Sequence, residues 1–244
     1  MTFSESEVDR YARHLVLREI GGPGLQALKA ARVLIVGAGG LGAPAALYLA
    51  AAGAGELTLV DPDTVALSNL QRQVLYGVAD IGAPKVDAAA RHLGELNPHV
   101  AIEAIDQALS PANAADLIAG WDLVLDGTDD FATRFAVNAA CVAAGKPLVS
   151  GAIGRWTGQI GVFQGRPCYR CLVPEIPPDA ETCAAVGVIG ALAGVIGAMM
   201  ALEAIKVIVG AGAPLAARLL IYDALAAETR TVRLNADPQC PVCG

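Results

Sequence analysis

The stretch VLIVGAGGLGAPAA, Val33 to Ala46, constrains this chain more than any other. Its first four residues read as a buried strand, its glycines as a tight turn, and the small residues from about Leu41 as the start of a helix. Gly37, Gly39 and Gly42 fall on G-x-G-x-x-G in that strand-turn-helix context. Glycines let the backbone approach phosphate oxygens, and free N–H groups at a helix start favour negative charge. Asp61 ends the next apolar run, Leu57 to Val60, where such folds place a carboxylate that accepts hydrogen bonds from ribose. These features suit NAD as well as ATP, and a tight turn with no ligand is the plain alternative.

The rest of the chain sets that turn in a repeated rhythm. A capping box, Ser4 with Glu7, predicts a helix continuing through Tyr11 to Arg18 and broken by Gly21, Gly22, Pro23 and Gly24. Apolar strands then alternate with helical segments. Strands are expected at Val33–Val36, Leu57–Val60, Val100–Ile105, Leu123–Leu125 and Leu148–Val149, with helices from about Leu41, after Pro84 and over Phe131–Ala144. Strands separated by helices predict an α/β fold, a Rossmann-like, doubly wound, mainly parallel sheet with ligands beyond the strands' carboxyl ends. From Gly158 the rhythm changes to QIGVF, LLIYD and TVRL, which read as antiparallel additions to the same sheet. The Pro-rich stretch with Pro174, Pro177 and Pro178 reads as a loop that is either mobile or folded over the site.

With 17 basic against 24 acidic residues, a net charge of −7 and no Lys/Arg run, a sequence-independent grip on nucleic acid is excluded. The polar amino terminus MTFSESEVDRYARH carries no export signal, so a cytoplasmic enzyme is expected. Ala184 to Leu202 is uncharged and contains a GxxxG at Gly190 and Gly194, yet no basic flank or aromatic belt marks either end. It is read as a helix buried on all sides, and no membrane span is expected.

What favours ATP lies after Asp61. Asp63 and the loop Ser68, Asn69, Leu70, Gln71, Arg72 and Gln73 put a cation and several amides where a nucleotide would end, and Lys85 follows a Gly-Ala-Pro turn. An Arg and a Lys converging on phosphate suit attack at phosphorus. No His or Lys pair suited to hydride transfer is evident. DGTDD, Asp126 to Asp130, closes a strand at the same edge, and its carboxylates are natural Mg²⁺ partners beside a polyphosphate. Asp126 alternatively caps the following helix.

The cysteines carry a second signal. Cys168-x-x-Cys171 and Cys240-x-x-Cys243 supply four thiolates in two pairs, a tetrahedral zinc set with no open position, hence structural. Two redox disulfides are the alternative. Cys141 reads as a core residue, whereas Cys183 precedes the uncharged helix, where a helix start would lower its pKa; packing is its other reading.

Taken together, GAGGLG, SNLQRQ, Lys85, DGTDD and the paired CxxC motifs resemble the bacterial sulfur-carrier adenylyltransferases, which activate the molybdopterin-synthase small subunit or the thiamine-pathway sulfur carrier and are relatives of the ubiquitin-activating enzymes. The likeness runs from RYARH to the final CPVCG. It implies one ubiquitin-activating-like adenylation domain over residues 1–244, with a helical arm at 1–30, a nucleotide-binding half at 31–150 and a carrier-binding, zinc-stapled half at 151–244. It implies ATP contacts at Gly40 and Asp61, the latter on ribose, a phosphate end lined by Ser68 to Arg72, Lys85 on the phosphates and Asp129 on Mg²⁺. Arg13 in RYARH looks like an arginine that enters a partner subunit's site, which implies a homodimer. Asp130 stands where the family often has Asn. Cys183 falls where thiamine-type members carry out sulfur transfer.

The implied reaction is attack of a carrier protein's carboxy-terminal glycine carboxylate, on a Gly-Gly tail, at the α-phosphorus of ATP. The catalytic set by resemblance is Arg72, Lys85, Asp129, Arg13 and Cys183. A separate persulfide donor would then convert the acyl-adenylate to a thiocarboxylate, no fused sulfurtransferase domain being expected. A NAD-dependent oxidoreductase and a non-catalytic, carrier-presenting scaffold are the competing readings.

Overall fold

A computed structural model of the chain describes residues 2–176 and 187–244. Its eight strands form one sheet in the order β3-β2-β1-β4-β5-β6-β7-β8. The strands are β1 (Arg32–Val36), β2 (Glu56–Val60), β3 (Ala101–Ile105), β4 (Leu123–Asp126), β5 (Leu148–Gly154), β6 (Thr157–Phe163), β7 (Arg218–Asp223) and β8 (Glu228–Arg233). Strands β1 to β5 pair in parallel, and β5 to β8 pair antiparallel. The sheet is thus the predicted mixed, mainly parallel Rossmann-like sheet in its first half, extended by the later strands.

Alternation along β1 divides the core between the two faces. Val33 and Ile35 join a cluster that includes Leu49, Val86 and Ile196, while Leu34 and Val36 join one with Ile118 and Val137. The first face is covered by α4 (Gly42–Ala52), α5 (Lys85–Leu96) and α9 (Gly190–Val209), and the second by α6 (Ala114–Ala119), α7 (Phe131–Ala144) and the single turn α8 (Tyr169–Leu172). Helix α6 supplies the crossover from β3 to β4. Its six residues are too few for a clear helical period, which is why the sequence reading passed over it.

Two local expectations are corrected. The first helix does not run through Arg18: α1 (Glu5–Arg10) starts at the capping box and stops at Tyr11, before the single turn α2 (Ala12–Leu15). Tyr11 turns inward, its hydroxyl accepting from Asn97 Nδ2 at 2.8 Å, and its ring lies where a Cβ on Gly53 would be 2.6 Å away. Nor do the following glycines only break a helix, because α3 (Gly21–Ala30) begins on them. Pro23 lies in its first turn, where a missing N–H costs nothing.

Helix α9 departs from the expected all-round burial. Its 20 residues and mean hydropathy of 2.0 match a membrane span by length and composition. One face packs on the protein: a Cβ on Gly197 would lie 2.4 Å from Pro44 of α4, and Cβ atoms on Gly158 and Gly151 would strike Ile196 and Met200 at 2.4 and 2.5 Å. Burying Leu192, Ile196 and Met200 there stabilises the fold by about 2 kcal/mol each. The opposite face leaves Val195 and Leu202 exposed.

Candidate functional site

The sheet order reverses direction between β1 and β4, and the turns that leave these two strands meet in the crevice between them. Gly37 donates to Val60 O at 2.8 Å and Gly127 donates to Val36 O at 3.0 Å, which fixes both turns on the sheet. Gly37 has φ of +88° and a Cβ there would press on Gly127 and Thr128 at 3.2 Å, so this position requires glycine twice over. The Cβ of any residue replacing Gly42 would lie 1.7 Å from Gly37 O. The glycine pattern thus closes the turn on itself and leaves Gly39 and Gly40 lining the space beside it.

That space is a cavity of about 480 Å³, within the range for a nucleotide-sized ligand. Of the predicted residues, Gly37, Gly39, Gly40, Asp61, Asp63, Asn69, Arg72, Gln73, Lys85, Asp129 and Asp130 line it. Gly42, Ser68, Leu70 and Gln71 do not, Gly42 being buried as the first residue of α4. Arg13 is exposed on α2 and away from this lining. Cys183 lies outside the described residues.

Asp61 is held at the end of β2, its two oxygens accepting from Ala38 N at 2.8 Å and Asp63 N at 2.9 Å. Burial raises its pKa above the ordinary carboxylate value, against the pull of nearby Lys85 and of these two N–H groups. Lys85 is itself buried, with its Nζ 2.7 Å from Asp63 and 3.8 Å from Asp61. Arg72 differs: it donates to Ser68 O at 3.1 Å and, among the described residues, pairs with no carboxylate. A guanidinium free of carboxylates at the mouth of a glycine turn is suited to phosphate oxygens.

The DGTDD segment divides its carboxylates between structure and cavity. Asp126 is buried and accepts from Thr128 N, Thr128 Oγ1 and Ser150 Oγ, so it is not the helix cap that one reading made it. The cap of α7 is Asp130, which accepts from Thr133 N and Oγ1 at 2.7 Å. Those bonds, the hydroxyl first, hold its pKa below the ordinary value. Asp129 is exposed in the lining beside it. Among the described residues the lining holds four carboxylates, Asp61, Asp63, Asp129 and Asp130, against three cations, Arg72, Lys85 and Arg134. A polyphosphate entering such a pocket is better balanced with a divalent cation, and among the described residues Asp129 is the lining carboxylate whose side chain makes no hydrogen bond or ion pair.

Sequence reasoning missed part of the site. Arg134 is buried beneath the DGTDD turn, donating to Thr128 O, to Gly151 O at 2.8 Å and to Ser150 Oγ at 3.3 Å. Tyr169, Val173, Ile153, Gln159 and Val188 line the far side of the cavity. The only signal for Arg134 is that it is the one charged residue between Phe131 and Ala144, four residues after Asp130.

The four cysteines meet away from the glycine turn. Their sulfurs all lie within 4.8 Å of one another, Cys168 to Cys240 at 3.6 Å and Cys171 to Cys243 at 3.5 Å. These separations are too long for disulfides, and close to the ~3.8 Å edge of a tetrahedron with ~2.3 Å metal–sulfur bonds. The donor set therefore fits a tetrahedral thiophilic ion such as zinc. Cys141, by contrast, is buried in the second core cluster, its thiol pushed up to about 12 by burial.

Residues 11–242 match the ThiF family. The chain is 47% identical to a sulfur carrier protein adenylyltransferase of Thermus thermophilus, over 100% of this chain and 93% of that one. It is 50% identical to a molybdopterin-synthase adenylyltransferase of Escherichia coli, over 99% of this chain and 98% of that one. The crystal structure of Escherichia coli MccB with MccA-N7isoASN superposes at a TM-score of 0.86 and 22% identity, covering 100% of this chain and 76% of that one. At that identity the match speaks for the fold.

Proposed function

Since the chain belongs to the ThiF family, we propose that it is an adenylyltransferase that uses ATP to activate the carboxy-terminal glycine of a ubiquitin-like sulfur-carrier protein as an acyl-adenylate. The single observation that carries this reading is that Arg72, which among the described residues pairs with no carboxylate, lines the same nucleotide-sized cavity as Gly39 and Gly40. The names of the relatives supply the carrier, with molybdenum-cofactor formation ahead of the thiamine pathway.

The reaction needs no general base, because a terminal carboxylate is already ionised at neutral pH. The carboxylate oxygen bonds to the α-phosphorus as the bond from that phosphorus to the bridging oxygen breaks, and the electron pair leaves with pyrophosphate. Catalysis is then positioning and charge neutralisation. In this assignment Asp61 takes the ribose hydroxyls, the Gly39–Gly40 backbone approaches the phosphates, and Arg72 and Lys85 draw charge toward the leaving pyrophosphate. Mg²⁺ on Asp129 would offset the acidic lining. Zinc on Cys168, Cys171, Cys240 and Cys243 would hold the carboxyl tail without taking part in bond making. We assign Arg13 to the site of a second copy, in a homodimer, because it is exposed and remote from its own chain's cavity. A separate sulfur donor would consume the adenylate.

Mass spectrometry of purified Gly-Gly-ended carriers after incubation with this protein, ATP and Mg²⁺ tests the proposal. A carrier gaining the mass of an adenylate supports it, and no adenylate on any carrier overturns it.

A further inference from the structure

The nucleotide cavity and the four-cysteine centre both lie against one face of α7, the first at its N-cap and the second two turns along it. Asp130, Arg134 and Asn138 stand four residues apart on that helix, one turn above another. Asp130 caps it at the cavity. Asn138, fully buried, lies against the first CxxC pair: its Nδ2 donates to Cys168 Sγ at 3.6 Å, and its Oδ1 accepts from Tyr169 N at 2.8 Å. Between them the Arg134 guanidinium sits 5.9 Å from the centre of the Tyr169 ring while donating to Thr128 O and Gly151 O.

Tyr169 joins the two sites. It follows the ligand Cys168 directly, lines the cavity, and is gripped by Phe163 edge-on at 5.7 Å and Phe135 at 6.2 Å. Thr128 precedes Asp129. Cys168, Tyr169, Arg134 and the Thr128–Asp129 backbone are thus linked by successive contacts.

Resting on the nucleotide-site reading above, we propose that Asn138 and Arg134 are positioning residues that make nucleotide binding depend on the metal centre, Asn138 by holding Cys168 and Tyr169, Arg134 by holding the Asp129 turn. The metal is then more than a staple for the carboxyl tail. Metal-bound thiolates lose affinity when a donor to the sulfur is removed, by about 10- to 100-fold.

The test uses the metal-loaded protein and the variants Asn138→Asp and Arg134→Lys. Asn138→Asp keeps the shape and the acceptor for Tyr169 N but sets a carboxylate in place of the donor to Cys168, adding charge beside the sulfurs, so Asn138→Ser, which removes the donor without adding charge, is the control for that charge. Thermal unfolding checks that each is folded. Two quantities are read: zinc release to a chromogenic chelator, and the dissociation constant of a non-hydrolysable ATP analogue with Mg²⁺. Asn138→Asp should release zinc about tenfold or more faster and bind the analogue more weakly, and saturating zinc should restore analogue binding. Arg134→Lys should keep its zinc at the unaltered rate yet bind the analogue more weakly, with no rescue by zinc. Unaltered zinc release in folded Asn138→Asp and Asn138→Ser overturns the proposal, as does accelerated release with unchanged analogue affinity, or analogue affinity that zinc fails to restore. If the unaltered protein binds no analogue, the nucleotide-site reading fails and the coupling with it; zinc release then judges Asn138's hold on Cys168 alone.

Discussion

Gly39 and Gly42 stand three residues apart in one turn and respond oppositely to a methyl group. At Gly42 it would lie 1.7 Å from Gly37 O, so Gly42→Ala forces the turn open and should cost about 3 kcal/mol or more in urea unfolding. At Gly39 it meets only Gln73 Nε2 at 3.5 Å, so Gly39→Ala should change stability by about 0.5 kcal/mol or less while weakening ATP binding, because Gly39 lines the cavity. Titration of ATP into both variants separates the two roles. Asp61 carries a pH prediction. Its raised pKa means it gains a proton at a higher pH than an exposed aspartate, and a protonated carboxyl is a poorer acceptor for ribose hydroxyls. ATP affinity should fall as pH drops through that raised value, and Asp61→Asn should flatten the dependence. These glycines and Asp61 were legible in sequence because a strand-turn-helix motif fixes their spacing. Arg134 and Tyr169 were not, since they reach the cavity from separate elements and only tertiary contact gives them a role.

At the scale of elements, periodicity carried the strands and the long helices, while contacts from outside each element decided where several of them end. Helix α7 was placed to its boundaries, Phe131 to Ala144, because Asp130 caps it and Gly145 ends it at φ of +65°. The amino-terminal helix was overextended, since nothing in Tyr11 to Arg18 announces that Tyr11 turns inward onto Gly53 and Asn97. An apolar helix offers no polar stripe to mark the face left outward, so the sequence of α9 reads as enclosed on every side where the structure leaves Val195 and Leu202 exposed. Helix α1 gives a prediction at this scale. Glu7 is buried, bonds to Lys29 Nζ at 2.6 Å and to Ser4 N at 2.8 Å, and these contacts, Lys29 first, lower its pKa from 4.5 to about 2. A lowered folded-state value stabilises the fold fully above 4.5, and that contribution is lost as pH falls from 4.5 through about 2. Glu7→Gln should lower the melting temperature at pH 7 and reduce the loss of stability between those two values, as followed by thermal unfolding.

For the whole molecule, the sheet brings the carboxyl tail back to an interior stretch of the chain. The pairs Cys168–Cys171 and Cys240–Cys243 were readable from spacing, but their meeting depends on β7 and β8 returning the carboxyl tail along the sheet. Chelating a bound metal should lower the melting temperature and open residues 234–244 to proteolysis before the β1–β5 half unfolds, because a four-thiolate site closes that tail onto the fold. Limited proteolysis with and without chelator reads this directly. The central claim is that this assembly makes an acyl-adenylate on a carrier tail and releases pyrophosphate. Exchange of labelled pyrophosphate into ATP, run with and without a Gly-Gly-ended carrier, tests it most directly. Exchange should require the carrier and fall about 100-fold or more in Arg72→Ala. Exchange absent with every such carrier, or undiminished in Arg72→Ala, would contradict the account.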